Sequence, residues 1–340
     1  IGGLKEYEHR IPQDGSLTME YFGKKINIRL ATEAVLDGEK AVLRLLEGFG
    51  PNQSSAKEVK SLAELGLGEK EITIIDNLRK MRQGFILFAG PTGSGKSTSL
   101  NAILSSINDG KKNIVTIEDP IEYHLPGATQ VSVNETIGKT FNEILKRSLR
   151  ADPDVILIGE IRDLETAETA ASASMTGHLV FSTIHAEASS AVFKRLMSLG
   201  LNPDLATSVI SVISQRLVPT ICDRCKKAYV PTDEELSDLN LERKELENGV
   251  LYKGKGCSKC QDTGVLGRIG VFEIMLVDSK LRELIDSGQG MNSSKIEEAA
   301  IESGMLLLEA DVKRKLLAGL ISLEEAMQII NNYKRLNYIE

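Results

Sequence analysis

Tryptophan is missing from all 340 residues, and aromatics as a whole make up only 4%. Proteins that hold single strands of nucleic acid stack bases on aromatic side chains, so a stacking platform is poorly provided for. Positive charge is not in excess either. The 41 Lys and Arg against 48 Asp and Glu leave a formal net charge of −7. That balance argues against a general affinity for nucleic acid, although a local basic patch can hide in an average. No apolar run approaches the ~20 residues of a membrane-crossing helix, and no secretory leader is visible. The first residue is Ile1 rather than Met, so a piece of a longer chain is expected. Cysteine and histidine are scarce, at four each. What remains is ordinary for a globular protein: 41% hydrophobic and 26% charged residues, in a length that suits two or three domains.

Against that background one segment stands out. Gly90-Pro-Thr-Gly-Ser-Gly-Lys-Ser97 satisfies the pattern GxxxxGK[ST]. It follows the apolar run Phe85–Ala89 and precedes a helix-competent stretch, Ser97 to Ile107, which is the strand-loop-helix setting a phosphate-binding loop requires. Glycines let backbone N–H groups turn inward at a helix N-terminus, where the dipole favours an anion. The expected nucleotide contacts are Gly90, Thr92, Gly93, Ser94, Gly95, Lys96, Ser97 and Thr98. Lys96 is expected at the β- and γ-phosphates and Ser97 on Mg²⁺. The chain is expected to bind a nucleoside triphosphate.

Two further segments fit that reading. In Asp154-Val-Ile-Leu-Ile-Gly-Glu160 an apolar strand ends in an acid at the edge where open α/β sheets bind ligands. Glu160 is the expected Walker B acid, holding Mg²⁺ directly or through water. Thr116-Ile-Glu-Asp-Pro-Ile-Glu122-Tyr closes another apolar strand with three carboxylates. Glu122 is the one expected to orient or deprotonate an attacking water; the alternative is a solvated acidic loop. His178 and His185 bracket the apolar run Leu179–Ser182, and both are expected near the sheet edge that carries the phosphate loop. They either contact the γ-phosphate, or His178 caps a helix and His185 is a hydrogen-bonded edge residue.

The four cysteines form two pairs, Cys222-x2-Cys225 and Cys257-x2-Cys260. Such pairs can place four thiolates at the corners of a zinc tetrahedron, a structural site with every position filled by protein. The cytosolic setting expected of a phosphate-loop protein argues against structural disulfides, and two matched pairs with no further cysteine argue against a thioredoxin-like redox motif. Along the chain, short strands are expected at 16–22, 25–30 and 40–46, then a loop at 48–55 and a helix near 69–82. From Phe85 to about Ser214, strands at 85–89, 113–117, 155–158 and 179–182 alternate with helices, the signature of a parallel sheet. The polar stretch between the cysteine pairs reads as a surface insertion. After Arg268 a helical pattern runs to the end, with a capping box at Ser322-x-x-Glu325. The expected fold class is α/β, with a small α/β domain over 1–82, a RecA-like core over 83–217, a tetracysteine element over 218–266 and a helical region over 267–340.

In this order, Gly90–Ser97, Thr116–Tyr123, Leu149–Asp163 and Thr176–His185 resemble the four boxes of the type II secretion and type IV pilus assembly ATPases. The likeness runs from Arg10-Ile-Pro-Gln-Asp-Gly15 to the end. It implies a PAS-like first domain, a homohexameric ring with ATP between two domains, and hydrolysis that drives an inner-membrane platform protein from the cytoplasmic side. No direct nucleic-acid partner is implied. It also implies that Glu122 is the catalytic glutamate, and that Arg29 and Arg44 complete the site, with Arg150 and Arg195 as weaker candidates from a neighbouring core. Any of these arginines can instead be a solvated surface residue. Ser16 departs from the arginine usual after Pro-Gln-Asp-Gly. The four cysteines match the metal-binding element of the assembly branch and point away from pilus retraction. A DNA translocase, a monomeric kinase and a scaffold with ATP as a structural ligand remain the competing readings.

Overall fold

The computed structural model describes residues 4–21, 24–47 and 60–338. The expected loop at 48–55 and Gly23 of the first turn lie outside them. Contacts divide the chain into two compact units, Ile1–Val59 with Ile121–Pro126 and Lys60–Pro120 with Gly127–Glu340.

The first unit holds an antiparallel sheet of β1 (Gln13–Tyr21), β2 (Lys24–Val35) and β3 (Gly38–Glu47), in that order. All three strands outrun the expected ones. Gly38, at φ +136°, lets the chain turn tightly after Leu36-Asp37. Arg29 and Arg44 are register partners on β2 and β3. The side chain of Arg44 is exposed, and that of Arg29 lies outside the described residues.

The helix expected in the small domain belongs to the second unit. This is α1 (Glu69–Leu78), which buries Ile75 and Leu78, and Arg79 after it donates to the Ser106 carbonyl at 2.7 Å. The division therefore falls at 59/60, not at 82/83. There follow β4 (Gly84–Ala89), α2 (Lys96–Ile107), β5 (Ile114–Glu118), β6 (Thr129–Ser132), α3 (Phe141–Ser148), β7 (Val155–Ile158), α4 (Leu164–Met175), β8 (Leu179–Ile184), α5 (Ala191–Ser198) and α6 (Pro203–Ala206). Then come β9 (Val209–Ile221), β10 (Lys226–Tyr229), α7 (Asp233–Ser237), β11 (Leu251–Gly254), β12 (Val265–Leu276), α8 (Ser279–Asp286), α9 (Ser293–Glu302), α10 (Leu308–Leu317) and α11 (Leu323–Tyr338).

The main sheet has seven strands in the order β12-β9-β4-β8-β7-β5-β6. Every neighbouring pair is parallel except β12 with β9. Strands β4, β5, β7 and β8 are buried along their whole length, which explains why they read as continuous apolar runs.

The chain after Arg268 is not helical at once. It continues as β12 to Leu276, because Val271, Phe272, Ile274 and Met275 are all buried against the rest of the fold. Strand β9 stays beside β4 only as far as the register pair Ala89↔Ser214 and then projects beyond it to Ile221, paired with β12. The expected boundaries at 217/218 and 266/267 thus fall inside continuous strands. Nor is the stretch between the cysteine pairs a mere surface insertion. Leu236, Leu239, Leu241 and Leu246 are buried in a second core with Val312 and Leu316 of α10 and Ile330 of α11. A buried ion pair ties α10 to β12: Asp311 accepts the Phe272 N–H at 2.8 Å and pairs with the fully buried Lys315.

Candidate functional site

The phosphate loop leaves the C-terminal end of β4 and enters α2, as its sequence requires. Gly90 has φ +145°, and a Cβ there would lie 2.6 Å from the Gln215 carbonyl oxygen and 2.8 Å from Ser94 Oγ. Only glycine fits. Gly95 is the left-handed residue preceding α2, at φ +89°. The Lys96 ammonium arches back over the loop and donates to the carbonyls of Gly90 at 2.7 Å and Pro91 at 2.9 Å. Burial pushes its pKa down to about 8, Arg216 adds to that fall, and Glu160 opposes it. Ser97 is exposed at the first turn of α2 and Thr98 is half-buried. Ser94 Oγ is buried with no hydrogen-bond partner.

Three other strand ends reach the same edge. Past β7, the Glu160 carboxylate accepts from Arg162 Nη2 at 2.6 Å and stands 3.6 Å from His185 Nε2, past β8. Arg162 also lies 4.0 Å from Asp119, past β5, and these acids raise its pKa, Glu160 most. Thr183 Oγ1 donates to the Gly159 carbonyl at 2.7 Å and so fixes the turn that presents Glu160. Lys96, Glu160 and His185 are thereby brought to one edge of the second unit. Glu118, one of the three acids in the Thr116–Tyr123 segment, is buried and accepts from Thr116 Oγ1 at 2.7 Å.

His178 does not join them. Residues bracketing a strand stand at its opposite ends, and six residues of β8 at ~3.3 Å each put ~20 Å between the histidines. His178 precedes β8, where its carbonyl accepts from the N–H of Gly84 at the start of β4. Its Nδ1 lies 2.9 Å from the Ala173 carbonyl at the end of α4. This is the helix-capping alternative, and the expectation that both histidines flank the phosphate loop is corrected for His178.

Glu122 is exposed and falls in the segment grouped with the first unit. Arg150 and Arg195 are exposed in the second. Arg195 lines a cavity of about 260 Å³ beside the phosphate loop, with Gly90, Pro91, His185, Glu187 and Lys194.

Sequence reasoning passed over Arg216. It lies on β9 just beyond the end of β4, with a side chain only 12% exposed. Its Nη2 donates to Glu187 Oε2 at 2.9 Å and to the Glu187 carbonyl at 2.5 Å, and its Nη1 donates to the Gln215 carbonyl at 3.2 Å. Burial lowers its pKa. Beside it, Gln215 Oε1 and Ser214 Oγ are buried without partners. The missed signal was the consecutive Ser214-Gln215-Arg216 within the mostly apolar run Val209–Ile221, because burying such polar groups is costly.

The cysteines come together where the β9–β12 arms end. Sγ–Sγ distances are 3.9 Å for Cys222–Cys257, 3.8 Å for Cys225–Cys260 and 3.7 Å for Cys257–Cys260. Four thiolates at ~2.3 Å from a zinc ion define a tetrahedron with an edge of ~3.8 Å, whereas a disulfide needs ~2.05 Å. All four cysteines are free thiols, and all but Cys257 are buried. Among the described residues they are the one group of ligands placed to hold a metal ion. A Cβ at Gly254 would lie 1.9 Å from the Gly264 carbonyl oxygen, so the chain on either side of the Cys257–Cys260 knuckle closes at its neck only through glycine.

A profile of the family described as type II/IV secretion system protein matches residues 3–328. The chain belongs to that family. Within it, 39% of 328 aligned residues are identical to the type IV pilus assembly ATPase PilB of Thermus thermophilus, covering 96% of this chain and 36% of that protein. The type II secretion system ATPase E of Vibrio cholerae is 40% identical over 323 residues, covering 95% and 62%. This family chain therefore spans about a third to just under two-thirds of these relatives. Among solved structures, the pilus retraction motor PilT with bound ADP superposes at a TM-score of 0.63 with 28% identity, covering 94% of this chain and 77% of that one. The Legionella pneumophila ATPase DotB, at 0.65 and 21% identity, shares the fold over 94% and 78%.

Proposed function

We propose that this family chain is the ATP-hydrolysing motor part of a type IV pilus assembly ATPase. The observation that carries the proposal is the convergence of Lys96, Glu160 and His185 at one sheet edge. Phosphoryl transfer to water needs little covalent help; positioning and charge neutralisation supply most of the catalysis. The phosphate loop and Lys96 would grip the phosphates, and Glu122 would align the attacking water. Arg29, Arg44, Arg150 and Arg195 would complete the site in a homohexamer. Mg²⁺, held by Ser97 and Glu160, would supply Lewis-acid neutralisation of phosphate charge. Zn²⁺ at the four thiols would be structural. Among the described residues no helix is long and apolar enough to cross a membrane, and the motor is proposed to act through an inner-membrane platform protein from the cytoplasmic side.

A type II secretion ATPase is the second reading, favoured by the comparable identity and greater coverage of the Vibrio relative. The two share one test of the motor itself: Mg²⁺-dependent ATP hydrolysis per subunit against protein concentration. Activity that rises and saturates as rings assemble supports the motor. Constant activity from a monomer, or stimulation that depends on DNA, refutes it. Replacing Glu122 by Gln is expected to leave ATP binding intact and remove turnover.

A further inference from the structure

We propose that Arg216 is a phosphate-positioning residue of this site, trading part of its grip on Glu187 for the terminal phosphate and so distinguishing ATP from ADP. The inference rests on the ATP-site reading above and adds to it a residue from a strand outside the four boxes.

Placement comes first. Strand β9 pairs with β4 up to Ser214, so Gln215 and Arg216 lie alongside the opening of the phosphate loop. Arg216 Nη1 is 3.2 Å from the point where a Gly90 side chain would begin. The carbonyl of the same Gly90 receives the Lys96 ammonium. Two cations thus meet at one glycine, and the lysine is the one whose tip serves the β- and γ-phosphates in such loops.

Charge comes second. Lys96 and Arg216 are both largely buried, and the hydrogen bonds of Lys96 go to two carbonyl oxygens. Arg216 is ion-paired with Glu187, whose side chain is 47% exposed, and the buried Glu273 adds a weaker attraction. Burial still outweighs the nearby carboxylates at both cations, and bringing in an anion relieves both. A guanidinium fork suits phosphate oxygens better than an ammonium does. One buried neighbour points the same way: the Ser94 hydroxyl has no partner and can donate to an anion.

Connection comes third. Glu187 is two residues beyond His185, and the Ser189 N–H is held by the buried Glu273 carboxylate at 2.8 Å. Arg216 and Glu273 therefore clamp the two ends of one short loop that begins at His185. A phosphate that draws Arg216 off Glu187 loosens the clamp nearer the histidine.

The test is equilibrium binding of Mg·ATPγS and Mg·ADP to the full chain, wild type against Arg216→Gln, Arg216→Lys and Glu187→Gln, with a melting curve for each. Arg216→Gln is expected to weaken ATPγS about tenfold or more and ADP less than about threefold, the scale of one charge-assisted phosphate contact. Glu187→Gln, which frees the guanidinium, is expected to raise the preference for ATPγS. Equal losses for both nucleotides, or none, overturn the inference, because a residue that only props the loop has no means to tell them apart. If Arg216→Gln does not fold, Arg216→Lys carries the same comparison: it keeps the charge, loses the fork and is expected to lose ATPγS selectively. A wild-type chain that binds neither nucleotide overturns the ATP reading, and this inference with it. Wild-type binding with no selective loss overturns the inference alone.

Discussion

Eight residues of one strand separate two sites built on opposite principles. At Ser214 of β9 the chain passes the phosphate edge; at Cys222 it enters the thiol cluster, ~25 Å farther on at ~3.3 Å per residue. The phosphate edge carries polar atoms with no partners, on Ser94, Ser189, Ser214 and Gln215, and a lysine whose pKa burial has brought to about 8. The thiol tip is closed: four sulfurs at tetrahedral spacing, locked by glycines that leave no room for a side chain. Unpaired buried groups are costly, and the phosphate edge gathers four of the side chains that carry one, the others among the described residues being Thr32, Arg79, Ser99 and Ser293.

The sharpest way to break this contrast is to exchange the kinds of damage. Lys96→Ala is expected to cut ATP turnover by more than ~100-fold with a melting temperature close to wild type, as read by phosphate release and calorimetry. Cys225→Ser, or chelation, is expected to do the reverse. Melting falls sharply, on the scale of several kcal/mol for a lost structural metal, while the still-folded fraction binds ATP within about twofold of wild type. Chelation that leaves the melting curve in place would show that no metal clips the tip.

A smaller effect separates the histidines. His185→Ala is expected to reduce turnover about 10- to 100-fold, the range for a group touching the reacting phosphate or its acid partner. His178→Ala, at the far end of β8, should stay within about threefold. Equal losses would place both in the chemistry after all.

Smaller still is a pH effect peculiar to the phosphate edge. Lys96 is a cation below about pH 8 and loses its charge above it. A bound anion draws its pKa back up, so ATP binding takes up protons near pH 8 and weakens as pH rises towards 9. Titrations in buffers of different ionisation enthalpy read this uptake, and Lys96→Met should abolish it. The smallest change expected is at the joint between α11 and β12, where the Tyr333 hydroxyl bonds to the buried Glu273. Tyr333→Phe should cost about 1 kcal/mol in urea unfolding, with little change in ATP affinity.

Much of the site was legible because its parts are local. A phosphate loop, an acid closing an apolar strand and two CxxC pairs each declare their chemistry within a dozen residues. What escaped depends on partners distant in the chain. Strands β9 and β12 are separated by 43 residues, and β12 is buried on both faces near its end, so it shows no alternation to mark it. Helix α1 was assigned to the wrong unit because amphipathicity tells that a face is buried and not against what. His178 and His185 were read together because seven residues look close in a line, although an extended strand carries them to opposite edges.

By itself, the sequence determined a parallel α/β core, a phosphate loop on its first central strand, a cysteine set with metal-ligand spacing, and membership of a family written in ordered boxes. Each follows from short-range stereochemistry: which residues turn, which alternate, which can ligate. Only the tertiary structure decided that Arg216 meets Lys96 at Gly90, that His178 stands away from the site, and that the thiol tip rides on the same strand that passes the Gly90–Ser97 loop. Those outcomes are set by strand order and register, which many buried contacts fix jointly and no local pattern encodes.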